Sequence, residues 1–278
     1  MAEQVAGCGI KRRTGRRARG LGLAGLLVAG AMAPVSALAA EGCPSLPTER
    51  LAAVEAIDGD TIALEGGGVL KLAGIEAAGS PGFGDSFQAT AARGALESRI
   101  AGRELGLVPV GPAADRYGRR HAQVFLPDGT WLQEALVGLG WARVHPVAGE
   151  RACVVALLEA ERQARAAGLG VWSDRRSGPR RADDPSLSQR SGLYEVVEGR
   201  VQSVGHGSYM VFLDFGRNYR RDFTAMIPAP VAERLANAGI PSDSLKGRYV
   251  RVRGVIEESG GPAIRIDDPV VLEVLDGR

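Results

Sequence analysis

The sequence has few of the side chains from which many protein metal sites are built. Its 278 residues include three histidines, His121, His145 and His206, and three cysteines. None of the histidines has a second ligand at the spacing of a known metal motif. The small number of histidines and cysteines argues against a metal site made of imidazole and thiolate groups. The sequence also shows no visible internal repeat.

Long apolar runs are also scarce, and the longest lies near the N-terminus. There, "LGLAGLLVAGAMA" follows the basic "KRRTGRRARG" and precedes "PVSALAA", which offers a small-residue cleavage site. The run stops at Pro34, short of the roughly 18 to 20 residues that a membrane span needs. We predict a signal peptide at 1–39, cut after Ala39 or Ala40, and therefore a periplasmic or secreted protein. An uncleaved anchor is the alternative, and arginine pairs within 12–17 leave the general and twin-arginine export routes open.

Without that segment the chain has no excess of positive charge. Residues 1–39 hold six of the 34 basic and one of the 32 acidic residues, which leaves 28 and 31 in the rest. A net charge of minus three provides no overall field that would attract nucleic acid. Any binding to phosphates must therefore come from local clusters of arginine.

The remaining two cysteines, Cys43 and Cys153, are an even pair in a chain predicted to reach an oxidising compartment. We expect a disulfide that joins the start of the mature chain to a later helix. Two unpaired, small apolar residues are the alternative.

Composition and length suggest about two domains. The polar stretch "SDRRSGPRRADDPSLSQRSG" contains proline and glycine and lacks apolar periodicity, so we predict a linker at 174–190. It separates a first domain at 45–173 from a second at 191–277.

The first domain has five strand segments, with a helix between the third and fourth, which predicts a small closed barrel of the OB type. The strand segments are "RLAAVEAI", "TIALEG", "GVLKLAGI", "ELGLVPVG" and "RRHAQVFLPDG". The helical segments are "DSFQATAARGALESRIAG", "WLQEALVGLG" and "ERACVVALLEAERQARAAG". The fold class is mainly β with helices (α+β).

Four blocks in this domain, "AIDGDTIAL", "LKLAGIEA", "DRYGRRHAQVFLPDGTWLQEALVGLGWARV" and "EAERQARAAGLGVW", together resemble the staphylococcal nuclease (thermonuclease) family. The blocks occur in the family's order and cover nearly all of residues 50–174. The resemblance implies an OB-type barrel with three helices and a calcium-dependent phosphodiesterase that cuts DNA and RNA.

The same resemblance assigns residues to a calcium site. Asp60 and Glu76 stand at the positions of two carboxylate ligands, and the main-chain carbonyl of Ala77 stands at that of a third. Oxygen ligands suit calcium. Asp58 would hold these ligands in place without contacting the metal itself.

Basic and aromatic residues match the family's substrate-binding positions. Arg119 falls where an arginine clamps the phosphate, and its planar fork suits a bidentate contact. Lys71 stands where the family has a second arginine. Its ammonium keeps the positive charge but cannot make the bidentate contact of a guanidinium. Arg116 and Tyr117 fall where groups line the nucleotide pocket.

The stretch "KLAGIEAAGS" departs from the family at the residue that matters most for hydrolysis. The glutamate that activates or orients the attacking water is replaced by Gly79, and Glu76 is one methylene longer than the usual aspartate. General-base help is worth about 10²- to 10⁴-fold. We therefore expect weak or no nuclease activity, unless Glu76 or Asp85 serves as the base.

The second domain also has strand segments with one helix between the third and fourth, which predicts a smaller OB-like barrel. Its segment "YMVFLDFGRNYRRDF" combines aromatic and basic residues, as in a stacking platform with a basic groove. Strict alternation along the strand predicts that four side chains of this segment face the core: Tyr209, Val211, Leu213 and Phe215. The predicted binding surface consists of Arg217, Tyr219, Arg220, Arg221 and Phe223.

Three classes of function agree with these patterns. The preferred one is an exported thermonuclease-like protein that binds or acts on nucleic acid with a degraded hydrolytic site. The alternatives are an active calcium-dependent nuclease and an envelope interaction or scaffold protein.

Overall fold

The computed structural model describes residues 42–43, 46–218 and 220–275, so the predicted signal peptide lies outside the described residues. From residue 42 onward the described chain belongs to one compact unit. Within these residues, no helix combines the length and apolar character needed to cross a membrane.

The N-terminal part of this unit folds into a small barrel with three helices. Its elements are β1 (Glu49–Ala56), β2 (Thr61–Leu64), β3 (Val69–Leu72), β4 (Ile75–Ala77), α1 (Ser86–Ile100), β5 (Glu104–Pro109), β6 (Arg120–Phe125), α2 (Leu132–Gly138), β7 (Ala142–Val144) and α3 (Arg151–Ala166). Five strands close in the order β1-β2-β3-β6-β5, which we call the first barrel. The pair β3–β6 is parallel and the other pairs are antiparallel. The predicted closed barrel is confirmed.

The segment "GVLKLAGI", predicted as one strand, is divided in two. β3 ends at Leu72, and Gly74 adopts a φ of 84°, a conformation that glycine reaches at little cost. β4 then pairs with β7 instead of with the barrel, and places Glu76 directly opposite Arg143. This division decides which way the Glu76 side chain faces.

The C-terminal part forms an eight-stranded sheet, which we call the second sheet. Its elements are β8 (Arg180–Arg181), β9 (Tyr194–Arg200), β10 (Ser203–His206), β11 (Met210–Asp214), β12 (Thr224–Pro228), α4 (Ala229–Asn237), β13 (Tyr249–Glu258), β14 (Pro262–Arg265) and β15 (Leu272–Val274). The order is β10-β11-β12-β14-β13-β9-β8, and β15 pairs with β13. Helix α4 follows β12, and two pairs, β12–β14 and β8–β9, are parallel. The strand order agrees with the OB-like prediction, although the hydrogen-bonded path ends at β10 and β8.

The segment predicted as a linker packs against the second sheet. β8 pairs in parallel with β9, opposite Val197 and Glu198. Asp184 caps a short 3-10 helix at Pro185–Gln189, and Leu187 within it is buried in the core of the second sheet. Arg180 and Arg190 in this segment also pair with Glu195 of β9, so an apolar side chain, a short strand and ion pairs join it to the second sheet.

Alternation along β11 places Val211, Leu213 and Phe215 in the core, as predicted. Tyr209 was predicted to join them and is 84% exposed. It precedes the first residue of β11, whereas Phe215, which directly follows the strand, packs against Phe223.

A buried ion pair joins the first barrel's α3 to the second sheet. Arg253 on β13 and Glu161 on α3 have fully buried side chains, with Nη1 and Oε2 3.1 Å apart. Glu161 also accepts a hydrogen bond of 2.7 Å from the backbone N–H of Val144, and Arg253 donates one of 2.6 Å to Glu273. Burial acts to raise the pKa of Glu161, but the charges of Arg253 and Arg165 outweigh it and hold the pKa below the ordinary 4.5.

A disulfide connects Cys43 to Cys153 in α3, with Cα atoms 4.4 Å apart. This spacing lies within the range that a disulfide requires. The predicted pair therefore forms, and it closes a sequence separation of 110 residues.

Candidate functional site

A cavity of about 460 Å³ opens at one end of the first barrel. The β1–β2 turn, β3, the turn after β4 and the first half of α1 surround it. Its lining residues are Ile57, Asp58, Gly59, Asp60, Lys71, Ala77, Ala78, Gly79, Ser80, Pro81, Ala89, Thr90, Arg93 and Arg119. The predicted residues Asp58, Asp60, Lys71, Ala77, Gly79 and Arg119 therefore meet in one place.

Asp60 is the buried carboxylate of this cavity. Its Oδ2 accepts a hydrogen bond of 2.7 Å from the backbone N–H of Ala77, and its Oδ1 accepts one of 3.2 Å from the Thr61 hydroxyl. The Lys71 ammonium is in direct contact with Oδ1. Burial raises the pKa of Asp60 to about 6, against the opposing charge of Lys71.

Asp58 supports Asp60 through the turn between them, in the position that the resemblance implies. Its Oδ1 accepts a hydrogen bond of 2.9 Å from the backbone N–H of Asp60. Burial acts to raise the pKa of Asp58, but its hydrogen bonds with Asp60 outweigh this effect and lower it. Gly59 between them lies so close to Ala77 and Ala92 that a Cβ would stand 2.7 and 2.8 Å from their Cβ atoms. The turn therefore requires glycine.

Glu76, the second predicted calcium ligand, does not line the cavity. Its Oε2 accepts a hydrogen bond of 2.7 Å from Nε of Arg143, the residue opposite it on β7. The guanidinium of Arg143 lies over the rings of Phe83 and Tyr194, 4.2 and 5.0 Å from their centroids. It also donates a hydrogen bond of 2.7 Å to the carbonyl of Tyr194, on the second sheet. Glu76 therefore belongs to the contact between the barrel and the second sheet.

The residues present do not fit calcium. This ion takes six to eight oxygen ligands, with carboxylates prominent among them. Of the two carboxylates in the cavity, Asp60 already contacts the Lys71 ammonium and Asp58 holds the turn. The carbonyl of Ala77 accepts a hydrogen bond of 3.2 Å from Ser80 N–H. Within the described ranges, no group of three or more carboxylate, imidazole or thiol side chains is placed to hold a metal.

Position 79, to which the resemblance assigns the general base, is built for glycine. Gly79 has a φ of 100°, and a Cβ there would stand 2.6 Å from the Cβ of Ala89. Asp85, the other candidate base, caps the N-terminus of α1 by accepting a hydrogen bond of 2.9 Å from the Gln88 N–H. Neither residue places a carboxylate in the cavity.

Restoring the glutamate is therefore expected to fail. Gly79→Glu should give no calcium-dependent cleavage and should lower the free energy of unfolding by about 1–3 kcal/mol, because the residue is held at positive φ against Ala89. Chemical denaturation and cleavage of labelled single-stranded DNA measure the two effects. Gly94→Glu, at an open position in α1, is the control for stability. Calcium-dependent cutting by the Gly79→Glu variant would contradict this expectation.

Arg119 reaches the cavity from the turn before β6. Asp115 fixes it by accepting hydrogen bonds of 2.9 Å from both its backbone N–H and its Nε. Desolvation acts to raise the pKa of Asp115, but the hydrogen bonds from Arg119 and His121 hold it well below its ordinary value. The sequence reasoning identified Arg119 and missed Asp115, which stands four residues earlier and sets the direction of the guanidinium.

Arg93 on α1 is a further cation of the cavity that the sequence reasoning missed. Its Nε donates a hydrogen bond of 2.7 Å to the carbonyl of Ala56. Its spacing from Ala89 and Thr90, at i+4 and i+3, places the three on one face of α1. This helical spacing is the sequence signal that could have identified Arg93 as a residue of the cavity.

Arg116 and Tyr117 lie beside this cavity and are absent from its lining. Tyr117 is exposed on the turn, with the guanidinium groups of Arg116 and Arg119 4.8 and 5.0 Å from its ring centroid. The structure therefore places Arg116 and Tyr117 next to Arg119 but outside the lining of the cavity, although the resemblance assigned them to the nucleotide pocket.

The predicted binding surface of the second sheet is only partly exposed. Arg217, Arg220 and Arg221 are exposed on the β11–β12 loop, and Tyr219 lies outside the described residues. The prediction for Phe223 is wrong, since its side chain is 1% exposed and packs against Phe215 with ring centroids 5.2 Å apart.

Comparison with protein families gives a match to the staphylococcal nuclease homologue family over residues 70–174. The match covers less than half of the chain and begins inside β3, so β1 and β2 are assigned to the domain by the closed barrel. A search of curated proteins finds no match. The barrel, the order of its parts and the family match agree, and the N-terminal part of this chain is therefore a staphylococcal nuclease-like domain, a kind of domain suited to binding or hydrolysing nucleic acid.

Proposed function

We propose that the first barrel binds the phosphates of nucleic acid without calcium and hydrolyses them feebly or not at all. One observation carries the proposal: the ammonium of Lys71 contacts Asp60, while Arg143 binds Glu76. A positive side chain thus lies against the carboxylate that would otherwise face a metal ion.

The charges of the cavity favour an anionic ligand. Lys71, Arg93 and Arg119 supply three positive groups to a cavity lined by two carboxylates, and their acidic partners are Asp60, Glu55 and Asp115. Hydrogen bonds between charged groups and phosphate oxygens are stronger than neutral ones, and guanidinium groups bind phosphate with two parallel bonds. A phosphodiester therefore fits this cavity better than a free cation does.

The lack of a base explains the feeble hydrolysis. No carboxylate side chain can be placed at position 79, and general-base help is typically worth about 10²- to 10⁴-fold. Bound calcium would polarise the phosphate, as a Lewis acid does in related chemistry. The residues of this cavity bind and orient a phosphodiester, and they offer no group to take a proton from water.

Binding of labelled single-stranded DNA, followed by fluorescence anisotropy in chelator and in calcium, tests the proposal. We expect the same affinity for DNA in chelator and in calcium. Arg119→Ala should lower that affinity by about tenfold or more, because charge-assisted hydrogen bonds are worth roughly 1.5–3 kcal/mol. Arg162→Ala, an exposed arginine of α3 paired with Glu159, is the matched control and should bind normally.

Other outcomes of this experiment would favour the alternatives. Calcium-dependent cleavage that Arg119→Ala abolishes would indicate an active phosphodiesterase, with Glu76 or another carboxylate as base. Affinity that is absent, or that does not change with salt, would indicate a scaffold protein instead of a polyanion binder.

We also propose that the protein is exported to the periplasm or secreted. The Cys43–Cys153 disulfide supports this, because structural disulfides persist in oxidising compartments. Cell fractionation combined with the mass of the mature chain tests it. A chain recovered from the cytoplasm with residues 1–39 intact would contradict export.

A further inference from the structure

His121 is a titratable side chain that the proposed function does not use. Its Nε2 lies 3.1 Å from Oδ2 of Asp115, and the side chain is 30% exposed. An ionised carboxylate only accepts hydrogen bonds, so Nε2 carries the proton of the neutral imidazole and Nδ1 is left as an acceptor. Over the residues that the structure describes, no hydrogen bond to Nδ1 is found. Asp115 therefore holds the imidazole in one tautomer, with a basic nitrogen left free.

The same oxygen of Asp115 also holds the arginine that we expect to bind phosphate. Nε and Nη2 of Arg119 lie 2.9 and 2.8 Å from Oδ2, the atom that His121 contacts. A guanidinium has five N–H groups, so those on Nη1 and one on Nη2 stay available to a phosphate. One carboxylate thus orients a phosphate-binding group and an imidazole next to each other.

The strand register places His121 beside the cavity of the first barrel. His121 on β6 is directly opposite Lys71 on β3. Residues opposite each other on neighbouring strands project from the same face of a sheet. Lys71 and Arg119 both line the cavity, and His121 is the neighbour of both without belonging to the lining. The imidazole is therefore at the edge of the cavity, next to the place where a phosphodiester would bind.

An imidazole in this place suits RNA as a substrate and not DNA. A ribonucleotide carries a 2′-hydroxyl next to its phosphate, and this group distinguishes RNA from DNA. A general base that removes the proton of a hydroxyl makes its oxygen a nucleophile. Because the attacking oxygen belongs to the substrate, this reaction does not depend on a base at position 79 that would activate water.

We propose that His121 is the general base of a transesterification that cuts RNA in the absence of calcium. Nδ1 takes the proton of the 2′-hydroxyl, the 2′ oxygen forms a bond to phosphorus, and the bond from phosphorus to the 5′ oxygen breaks. The 5′ oxygen leaves with a proton taken from water, and the imidazolium returns its proton to water. The products are a 2′,3′-cyclic phosphate and a 5′-hydroxyl. Arg119 stabilises the negative charge that builds on the phosphate oxygens.

A DNA oligonucleotide that contains a single ribonucleotide tests the proposal, beside the same oligonucleotide made only of DNA. In chelator, we expect cutting on the 3′ side of the ribonucleotide alone, with a cyclic phosphate that mass spectrometry identifies. His121→Gln should lower kcat by about 100-fold or more and leave KM unchanged, in the range of general-base help. Glutamine keeps an N–H for Asp115 but has no nitrogen that accepts a proton.

His206 offers a matched control. Its Nε2 lies 2.8 Å from Oδ1 of Asp243, so it forms a second pair of histidine and aspartate, exposed on the edge strand β10 of the second sheet. His206→Gln should cut as fast as the parent. Cutting by His121→Gln at the rate of the parent, with both proteins purified in parallel, would overturn the proposal. So would cutting of the oligonucleotide made only of DNA in chelator.

Affinity for the DNA oligonucleotide separates this inference from the proposed function, on which it rests. Arg119→Ala should weaken that affinity, whereas His121→Gln should leave it within about twofold of the parent, the range of ordinary surface changes. If DNA binds as expected but the ribonucleotide is not cut in chelator, this inference fails and the proposed phosphate binding stands. If neither oligonucleotide binds, both fail.

Discussion

Replacing Glu161 by alanine is expected to lower the free energy of unfolding by about 3–5 kcal/mol, the usual cost of removing one partner from a buried ion pair. Arg253 would keep only Glu273 as its acidic partner, and the N–H of Val144 would lose its acceptor. Because Glu161 belongs to α3 and Arg253 to β13, the loss falls on the contact between the first barrel and the second sheet. Urea denaturation measures it.

The pH dependence of this effect has a defined direction. The pKa of Glu161 is lowered in the folded protein, so its contribution to stability is present above the ordinary value of 4.5 and is lost as the pH falls below it. The difference between the parent and the Glu161→Ala variant should therefore shrink in acid.

Two further variants give this prediction a control. Glu159→Ala removes an exposed acid of the same helix, paired with Arg162, and should cost no more than about 1 kcal/mol. The double change Glu161→Met with Arg253→Met should recover much of the lost stability, since apolar groups can replace a buried pair. A single Glu161→Ala variant within about 0.5 kcal/mol of the parent, the range of ordinary surface changes, would contradict the assignment.

Loss of the disulfide is expected to have an effect of similar size. Replacing Cys43 and Cys153 together by alanine should lower the free energy of unfolding by about 2–5 kcal/mol, because the bond closes a long loop and restricts the unfolded chain. The midpoint of urea denaturation for parent and double variant measures the loss.

Reduction of the disulfide in the parent protein is the control for the double alanine variant. Dithiothreitol should lower the stability of the parent to that of the double alanine variant, and should leave the variant unchanged. If reduction left the parent as stable as before, the disulfide would contribute nothing, and the position of the residues before β1 would depend on other contacts.

The barrel and part of its site were predictable because the relevant patterns are local. Asp58, Gly59 and Asp60 form one turn, and Arg119 follows from a single short motif. The resemblance of the four sequence blocks placed them at the same end of the barrel, where the cavity is found.

Glu76 shows what such reasoning lacks. Its partner Arg143 is 67 residues away, and Arg143 is in turn held by Tyr194 of the second sheet. A motif gives the position of Glu76 along the chain but not the charge that binds its carboxylate. The long-range partner therefore decides against the predicted ligand role.

Phe223 and the segment 174–190 both make contacts that composition does not show. The aromatic residue was expected beside the exposed arginines, but it packs on Phe215 across the β11–β12 loop. The polar segment was expected to be a linker, but its single buried leucine, Leu187, and two-residue strand join it to the second sheet. Composition describes a segment, and only the packing of distant residues determines whether it is buried.

The central claim is that the Lys71 ammonium contacts Asp60, the carboxylate that the resemblance assigns to calcium. Isothermal titration of calcium into the purified protein, with and without bound single-stranded DNA, tests it most directly. The account predicts no heat of calcium binding in either case and an affinity for DNA that chelator leaves unchanged. Saturable calcium binding that disappears in Asp60→Asn, together with cleavage of the DNA, would contradict it.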